Sequence, residues 1–317
     1  IGLTHVGLPR AVELARTLKG VDVVLSGDYH ERTYAPVIVG NTWVVEPGSF
    51  GSFLGRLDLV VAGGKIAARK WQLIELRADR FPEDPKVKSV VQQALAPYRE
   101  RMDRVIGRTE VALYRYSVLE TTLDAVFVDA LREAAGTEIA LGNGFRYAAP
   151  ISPGPITEAD LWNTWPLNMP LRAGKVSGKQ LKEFWEKELE HSLARDPNQL
   201  FGGWLPRVSG MQVRFAYNAP MGRRVQQIII GGEPMREDQF YTVASCEREG
   251  DPPATLCRIP GVQEIRNLEM DAHTALRNYL ARHSPIRQPA MGRIQAVDIK
   301  GEVRSQFFLS QSHVQDK

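Results

Sequence analysis

A short apolar run that ends in a polar loop most constrains the fold of this chain. The run Val21-Asp22-Val23-Val24-Leu25 is rich in β-branched residues and leads into Ser26-Gly27-Asp28-Tyr29-His30. This pattern predicts a buried strand with polar groups at its C-terminal end. Asp28 and His30 are two residues apart, so in an extended loop both side chains point to the same side. Together they can hold a divalent metal ion, or they can act as a turn cap and a satisfied polar group.

A second polar strand end lies upstream in Leu3-Thr4-His5-Val6-Gly7, and a helix is predicted between the two, from Arg10 to Lys19. The order T-H-x-G, helix, strand, G-D-x-H resembles the metallophosphoesterase domain of the 5'-nucleotidase family, which includes the SoxB thiosulfohydrolases. The resemblance implies that His5, Asp28 and His30 are metal-ligand positions. The family usually has histidine where Asp28 stands. Because a carboxylate also binds Mn, Fe or Zn, this change is expected to retune the metal site.

The composition is that of a globular protein with room for two domains. Of the 317 residues, 43% are hydrophobic and 24% are charged. The net charge of +3 is too small to indicate binding to nucleic acid or to an anionic membrane. No apolar run reaches the length of a membrane span, and the first residues do not form a signal peptide. Because residues 1–5 have the pattern of a core strand, an upstream part of this domain is expected to be missing.

The first hundred residues are expected to form strands followed by a linker helix. The predicted strands are Val21 to Ser26, Val37 to Val39, Thr42 to Val45, Gly55 to Val61 and Ala67 to Leu76. A charged helix is predicted from Lys86 to Arg104, with a break at Pro97. The fold class is therefore α/β (α+β). The resemblance implies four parts: 1–80, the C-terminal part of a metallophosphoesterase β-sandwich; 81–105, a linker helix; 106–300, a 5'-nucleotidase C-terminal-type α+β domain; and 301–317, a tail.

Helix caps mark the elements of the second domain. A helix is predicted from Thr121 to Ala135, with Thr121 or Thr122 as its cap, and another is predicted to begin at Thr157. Ile139-Ala140-Leu141 predicts a buried strand. The D-x-H sequence Asp271-Ala272-His273 falls in a predicted helix, where residues two apart diverge, so we expect it on the helix surface rather than at a metal.

Three stretches of this domain resemble substrate-binding motifs of the family. Asn143-Gly144-Phe145-Arg146 is similar to N-G-G-x-R, and Pro166-Leu167-Asn168 is similar to P-F-x-N. The stretch from Gly202 to Gly210 is similar to the G-G and R-V-G-G signature of SoxB enzymes. Arginine suits such a site because its planar fork binds phosphate or a sulfur oxyanion with two directed bonds. The resemblance implies that the substrate-binding residues are Asn143, Arg146, Asn168, Trp204 and Arg207. A surface arginine on a turn and a tryptophan that anchors packing are the alternatives.

The two cysteines, Cys246 and Cys257, flank a Pro-rich loop. Their spacing allows either a disulfide or two separate buried thiols. The resemblance favours the disulfide, because members of the family are commonly exported, and it implies a periplasmic or otherwise exported protein. The same loop, Glu249-Gly250-Asp251-Pro252-Pro253, lacks the phenylalanine that nucleotidases carry in G-G-D-G-F. This absence argues against a nucleobase held between two aromatic rings.

The resemblance implies a metal-dependent hydrolase in which two divalent ions (Mn, Zn or Fe) activate water to cleave a phosphoester. The upstream ligand motifs of the family are missing, so we expect weak metal binding and little hydrolysis from this chain without an N-terminal half, in cis or as a second chain. One alternative is a SoxB-like hydrolase that acts on a carrier-bound thiosulfonate. Another is a non-catalytic binding or assembly subunit.

Overall fold

The structure is a computed structural model, and it describes residues 1–246 and 250–304. Within them the chain divides into two compact units. The first unit comprises Ile1–Pro97 together with Ala194–Gly202. The second comprises Tyr98–Leu193 and the described residues from Gly203 onward. A mixed α/β architecture was predicted, and it is confirmed.

The first unit opens with a four-stranded sheet and one helix. Its strands are β1 (Gly2–His5), β2 (Val23–Gly27), β3 (Val37–Val39) and β4 (Thr42–Val45), and helix α1 (Gly7–Thr17) connects β1 to β2. The sheet order is β1-β2-β4-β3, with β1 and β4 parallel to β2 and with β3 antiparallel to β4. Val23, Val24 and Val44 have no exposed surface, and helix α1 buries Ala11 and Val12 in the same core.

A long hairpin and a helix follow this sheet. Strands β5 (Phe53–Ala62) and β6 (Lys65–Glu75) pair antiparallel. Helix α2 (Pro85–Leu95) is capped by Asp84, whose carboxylate accepts hydrogen bonds from the backbone N–H groups of Lys86 and Val87. No residue of α2 is buried, and its apolar side chains at Val87, Val90, Val91 and Leu95 are all exposed. A 3-10 turn at Ala96–Tyr98 ends the helix at the predicted Pro97 break.

One side chain of α1 holds a segment from far along the chain. Arg10 donates from Nε to the carbonyl oxygen of Pro197 at 3.3 Å. Its Nη2 donates to the carbonyl oxygens of Asn198 at 3.2 Å and of Leu200 at 3.0 Å. These bonds satisfy three carbonyls of a segment without regular secondary structure, so residues 194–202 belong to the first unit although they are distant from it in sequence.

The second unit contains two larger sheets and a short strand pair. Its helices are α3 (Arg99–Met102), α4 (Thr122–Ala135), α5 (Glu158–Thr164), α6 (Gly178–Leu193) and α7 (Ala272–His283). Its strands are β7 (Val105–Thr109), β8 (Ile139–Gly142), β9 (Gly154–Thr157), β10 (Pro170–Ser177), β11 (Arg207–Ser209), β12 (Met211–Phe215), β13 (Val225–Ile230), β14 (Glu233–Pro234), β15 (Phe240–Cys246), β16 (Gln263–Asp271) and β17 (Ile294–Ala296). The sheet orders are β11-β8-β15-β10-β16, β14-β13-β12-β17 and β7-β9.

The predicted caps position these helices. Thr121 accepts from the backbone N–H of Asp124 at the start of α4, and Gly136 ends that helix with φ 62°. Thr157 and Asp160 form a reciprocal capping box at the start of α5. Helix α4 packs against β8 and β11, so its buried face closes one side of the five-stranded sheet. Strand β8 is buried along its whole length, and it therefore ends in a loop that emerges from the core.

The expected surface position of His273 is wrong. Asp271 caps helix α7 as a helix start requires, but His273 has no exposed surface. Its Nε2 lies 2.7 Å from the carbonyl oxygen of Trp165, and its ring meets Trp162 edge-on. The sequence showed the helix but not the elements that cover it.

Most of the expected tail lies outside the described residues. None of the described helices has the length and apolar character needed to cross a bilayer.

Candidate functional site

The first candidate site lies where strands β1 and β2 end. These strands are parallel, and His5 is paired with Gly27, so the residues that follow both strands meet at one edge of the sheet. His5 Nε2 lies 3.6 Å from Asp28 Oδ1. The side chains are 82% and 42% exposed, so both can be reached from solvent. The structure therefore brings together two of the three predicted metal ligands.

The backbone around this pair is held in unusual conformations. Asp28 has φ 101° and His30 has φ 63°, backbone angles that residues other than glycine rarely adopt. Gly7 is required beside them, because a Cβ at that position would lie 2.3 Å from the ring of buried Tyr29. Strain of this kind persists only where surrounding contacts fix the backbone, and it is frequent in functional loops.

A buried carboxylate supplies such contacts. Glu46 has no exposed surface, and its Oε2 accepts from the hydroxyl of Ser26 at 2.9 Å. Its Oε1 accepts from the backbone N–H of Glu31 at 3.0 Å. Glu46 thus ties the end of β2 to the far side of the Asp28–His30 loop.

These residues fit one part of a metal centre. An ion bound at about 2.1 Å by an imidazole nitrogen and a carboxylate oxygen holds those atoms about 3.0–3.4 Å apart, close to the separation of His5 and Asp28. Among the residues that the structure describes, however, no group of three or more His, Cys, Asp or Glu side chains could hold an ion. A complete centre requires ligands beyond this pair.

The second candidate site is a cavity of ≈ 120 Å³ in the second unit. Its wall is mainly aromatic and apolar, and it includes two arginines. The lining residues are Arg115, Gly142, Asn143, Phe145, Tyr147, Trp165, Pro166, Leu167, Met169, Ser245, Cys246, Cys257 and Arg258. Several of them belong to the loop that follows β8, so the buried strand presents this loop to the cavity.

Arg146 is the most unusual member of that loop. It is 7% exposed, and its Nε and Nη2 are buried without a hydrogen-bond partner. Its guanidinium carbon lies 4.6 Å from the ring centre of Trp204 and 5.1 Å from that of Tyr116. The two rings stabilise the cation but accept no directed hydrogen bond. Because an unsatisfied buried donor costs free energy, the arrangement favours an anionic ligand that accepts from both nitrogens.

Asn143 and Trp204 lie next to Arg146 and bond to each other. Trp204 Nε1 donates to Asn143 Oδ1 at 3.2 Å, and the Phe145 ring centre lies 5.7 Å from that of Trp204. Asn168 is placed differently. Its Oδ1 accepts from the backbone N–H of His273 at 3.0 Å, at the first turn of α7. The structure therefore clusters Asn143, Arg146 and Trp204, whereas Asn168 bonds to a helix start.

Arg207 is fully involved with protein groups. It is 2% exposed, and its Nε donates to Asp124 at 3.0 Å. Its Nη2 donates to the carbonyl oxygen of Ser117 at 2.7 Å, and its Nη1 donates to those of Val118 and Leu119. Burial lowers the pKa of Arg207, and the carboxylate of Asp124 opposes that shift. Each nitrogen of its guanidinium group therefore donates to a protein acceptor.

The expected disulfide between Cys246 and Cys257 is absent, because both residues are free thiols. They line the same cavity wall, and the Cys257 thiol bonds to Ser245. Burial raises the pKa of both thiols above the ordinary range. The spacing of the cysteines sets the loop size but not the approach of the two sulfurs, so the sequence could not decide between the two states.

Several residues of this site carried no sequence signal. Arg115 and Asp124 belong to no motif, and their partner Arg207 lies 83 residues from Asp124. Tyr147 and Trp165 line the cavity from two different loops. Only the alternation of aromatic residues with arginine in Tyr114-Arg115-Tyr116 and Phe145-Arg146-Tyr147 could have drawn attention to them.

The comparisons with known proteins agree with this geometry. Residues 105–247 match the family model described as 5'-nucleotidase, C-terminal domain. The chain is 32% identical over 263 residues to the trifunctional nucleotide phosphoesterase protein YfkN of Bacillus subtilis, covering 77% of this chain and 18% of YfkN. It is 26% identical to protein 5NUC of Lutzomyia longipalpis, covering 92% of this chain and 58% of that protein. The chain thus spans less than two thirds of these relatives.

Two solved structures share the fold. The sulfate thiohydrolase SoxB of Thermus thermophilus superposes with a TM-score of 0.80 at 23% identity, covering 93% of this chain and 54% of SoxB. A 5'-nucleotidase precursor, also of Thermus thermophilus, superposes with a TM-score of 0.76 at 22% identity, covering 93% of this chain and 63% of that one. Residues 105–247 of this chain are therefore similar to the C-terminal domain of 5'-nucleotidases.

Proposed function

We propose that this chain carries the substrate-binding part of a metal-dependent phosphoester hydrolase, and that Arg146 binds the anionic group of the substrate. The observation that carries the proposal is the pair of buried, unpartnered nitrogens on Arg146. A phosphoryl group offers several oxygens to a guanidinium fork and so satisfies both nitrogens at once. Phe145 and Tyr147, the neighbours of Arg146 in sequence, line the adjacent cavity together with Trp165, and we propose that this aromatic wall holds a flat organic group attached to that phosphate.

Metal ions are proposed to bind at the end of β1 and β2, with His5, Asp28 and His30 as ligands from this chain. When bound, a pair of divalent ions activates water and neutralises charge on the ester oxygens. Glu46 is proposed to hold the Asp28–His30 loop in its binding conformation. Asn143 and Trp204 hold the loop that carries Arg146. We propose that Arg207 stabilises the backbone around the pocket. We propose that Asn168 holds the edge of the pocket in position.

The remaining ligands are proposed to come from a metallophosphoesterase half, in the same polypeptide or as a second chain. Among the described residues, most of the exposed large apolar side chains lie in the first 98. Helix α2 contributes an entirely exposed apolar stripe, and strand β5 exposes Leu54, Val60 and Val61. Surfaces of this kind mark polypeptide contacts. An exported location is proposed from the family resemblance alone.

A sulfur oxyanion is the second candidate substrate. The likeness to SoxB extends over 93% of this chain, and Trp204 and Arg207 lie in the stretch that resembles the SoxB signature. A sulfonate presents the same tetrahedral oxygens to Arg146 as a phosphate does. The two substrate classes therefore differ in what the aromatic wall must accommodate and not in the anion site.

Calorimetric titration of the 317-residue chain with adenosine 5'-monophosphate and, separately, with thiosulfate tests the proposal. We expect saturable binding of one of them and a loss of about tenfold or more in Arg146→Gln, since hydrogen bonds to a charged group contribute about 1.5–3 kcal/mol. The exposed Arg287→Gln serves as a control and should bind as the wild type does. Wild-type and Arg146→Gln titrations that coincide for both probes would exclude this site.

Intact mass and metal analysis of natively purified material separate the remaining alternatives. A mass above 35.5 kDa, or a co-purifying chain, with about two equivalents of Mn, Zn or Fe is expected for the complete hydrolase. A matching mass without metal points to a non-catalytic subunit. Rapid phosphoester turnover by the isolated chain would show that no second half is needed.

A further inference from the structure

A buried carboxylate lies beneath the Arg146 loop and joins two guanidinium groups. Asp124, in the first turn of α4, is 1% exposed. Its Oδ1 accepts from Arg115 Nε at 2.8 Å, and its Oδ2 accepts from Arg207 Nε at 3.0 Å. Thr121 donates its hydroxyl to Oδ2 at 2.7 Å. Both arginine side chains are 2% exposed, so this one carboxylate compensates two cations that are shielded from water.

Arg115 connects this carboxylate to the loop that carries Arg146. Its Nη2 donates to the carbonyl oxygen of Asn143 at 2.9 Å, and its Nη1 donates to that of Thr164 at 2.6 Å. Its guanidinium carbon also lies 4.4 Å from the ring centre of Trp165. Through Arg115, Asp124 therefore fixes two sides of the cavity.

Arg207 connects the same carboxylate to the segment next to Tyr116. It donates to the carbonyl oxygens of residues 117–119, the segment that directly follows Tyr116. Tyr116 provides one of the two rings against the Arg146 guanidinium. A Cβ on Gly144 would lie 2.8 Å from Arg207 Nε, so the Arg146 loop also rests directly on this side chain.

We propose that Asp124 is a positioning residue for substrate: it holds Arg115 and Arg207 in the orientations that place the Asn143–Arg146 loop and the Tyr116 ring around the bound anion. This inference rests on the proposed function of Arg146. Asp124 has no contact with the ligand. Replacing its carboxylate by an amide leaves two buried cations with one neutral acceptor, so the arginines turn toward other acceptors and release the backbone carbonyls they hold.

Asp124→Asn tests this proposal, with Asp129→Asn as a matched control on the same helix. Asp129 pairs with Arg293 at 2.7 Å and accepts from Ser209, so its loss also breaks a partly buried ion pair but leaves Arg115 and Arg207 untouched. Thr121→Val keeps the carboxylate but removes one of its hydrogen bonds and the cap of α4, so it should weaken binding less than Asp124→Asn does. The dissociation constant for adenosine 5'-monophosphate and for thiosulfate is measured together with the melting temperature of each variant.

We expect at least tenfold weaker binding by Asp124→Asn. Asp129→Asn should bind almost as the wild type does, even if its melting temperature falls by as much as that of Asp124→Asn. If Asp124→Asn does not fold, Arg115→Lys keeps the charge but loses the fork, and it should weaken binding likewise. Equal affinities in wild type and Asp124→Asn, or equal losses in all variants, overturn the positioning role alone. A wild-type chain that binds neither probe overturns the proposed function and this inference with it.

Discussion

The guanidinium carbon of Arg146 lies 4.6 Å from the ring centre of Trp204, and Trp204 in turn donates to the side chain of Asn143. One tryptophan therefore stabilises the cation and fixes the loop that carries it. The two roles use different parts of the indole, the ring face and Nε1, so substitutions can separate them.

Trp204→Ala should weaken anion binding by about tenfold, since a buried cation–π contact contributes about 1–2 kcal/mol. Trp204→Phe keeps a ring against Arg146 but loses the hydrogen bond to Asn143, so an intermediate affinity is expected. Titration with whichever probe the wild type binds measures both. Trp162→Phe is the control, because Trp162 also faces an arginine, Arg101, in the same unit. A loss in the control as large as in Trp204→Ala would contradict the assignment.

Gly144→Ala should reduce ligand binding even though alanine is small. A Cβ at this position would lie 2.6 Å from the Trp204 ring and 2.7 Å from the carbonyl oxygen of Leu205, so the loop must shift. Small-to-large changes in packed sites cost about 1–3 kcal/mol. Gly2→Ala meets only ordinary contacts and should leave binding and melting temperature unchanged. Wild-type affinity in Gly144→Ala would show that the loop is less constrained than its contacts indicate.

Glu158→Gln should reduce stability at neutral pH more than in acid. The Glu158 carboxyl is buried, which alone raises its pKa, but hydrogen bonds from Arg277 and Arg104 prevail and lower the pKa below 4.5. Its ionised form therefore stabilises the fold above pH 4.5, and this contribution is lost as the pH falls through the lowered pKa. Because Glu158 is buried while Arg104 and Arg277 are partly exposed, we expect a loss of about 1–3 kcal/mol.

Denaturant unfolding at pH 7 and at pH 4 measures this effect. The difference between wild type and Glu158→Gln should shrink at the lower pH. Asp238→Asn removes an exposed pair with Arg236 and should change little at either pH. An unchanged difference across the two pH values would mean that Glu158 acts through packing and not through its charge.

The two cysteines should resist alkylation while the protein is folded. Burial raises the pKa of both thiols, so little thiolate is present at pH 8. Mass spectrometry after a short exposure to iodoacetamide should show no adduct in native protein and two adducts in denaturant. Rapid labelling of the folded chain, or a mass two units lower without labelling, would show that Cys246 and Cys257 are exposed or oxidised.

Local chemistry made much of the fold predictable. The hydroxyl caps at Thr121 and Thr157, the break at Pro97 and the strand that ends at Gly27 are all decided by neighbouring residues, and the structure contains each of them. Asn143, Arg146 and Trp204 were singled out through motifs, and the structure places them in contact with one another.

Contacts between distant segments could not be predicted. The Arg115–Asp124–Arg207 network joins residues that show no shared pattern, and the buried position of His273 depends on the approach of Trp162 and Trp165. The state of the two cysteines likewise depends on how the chain brings two loops together. Each of these features is decided by tertiary packing, which single-sequence patterns do not record.

The three hydrogen bonds from Arg10 have a consequence for synthesis on the ribosome. Their acceptors lie 187 to 190 residues later in the chain, so the sheet that carries His5 and Asp28 is translated long before the segment that completes its unit. At about 5–20 residues per second, that interval is roughly 10–40 s. During this interval the nascent first unit lacks these three bonds, and its assembly can be completed only after residues 194–202 have emerged.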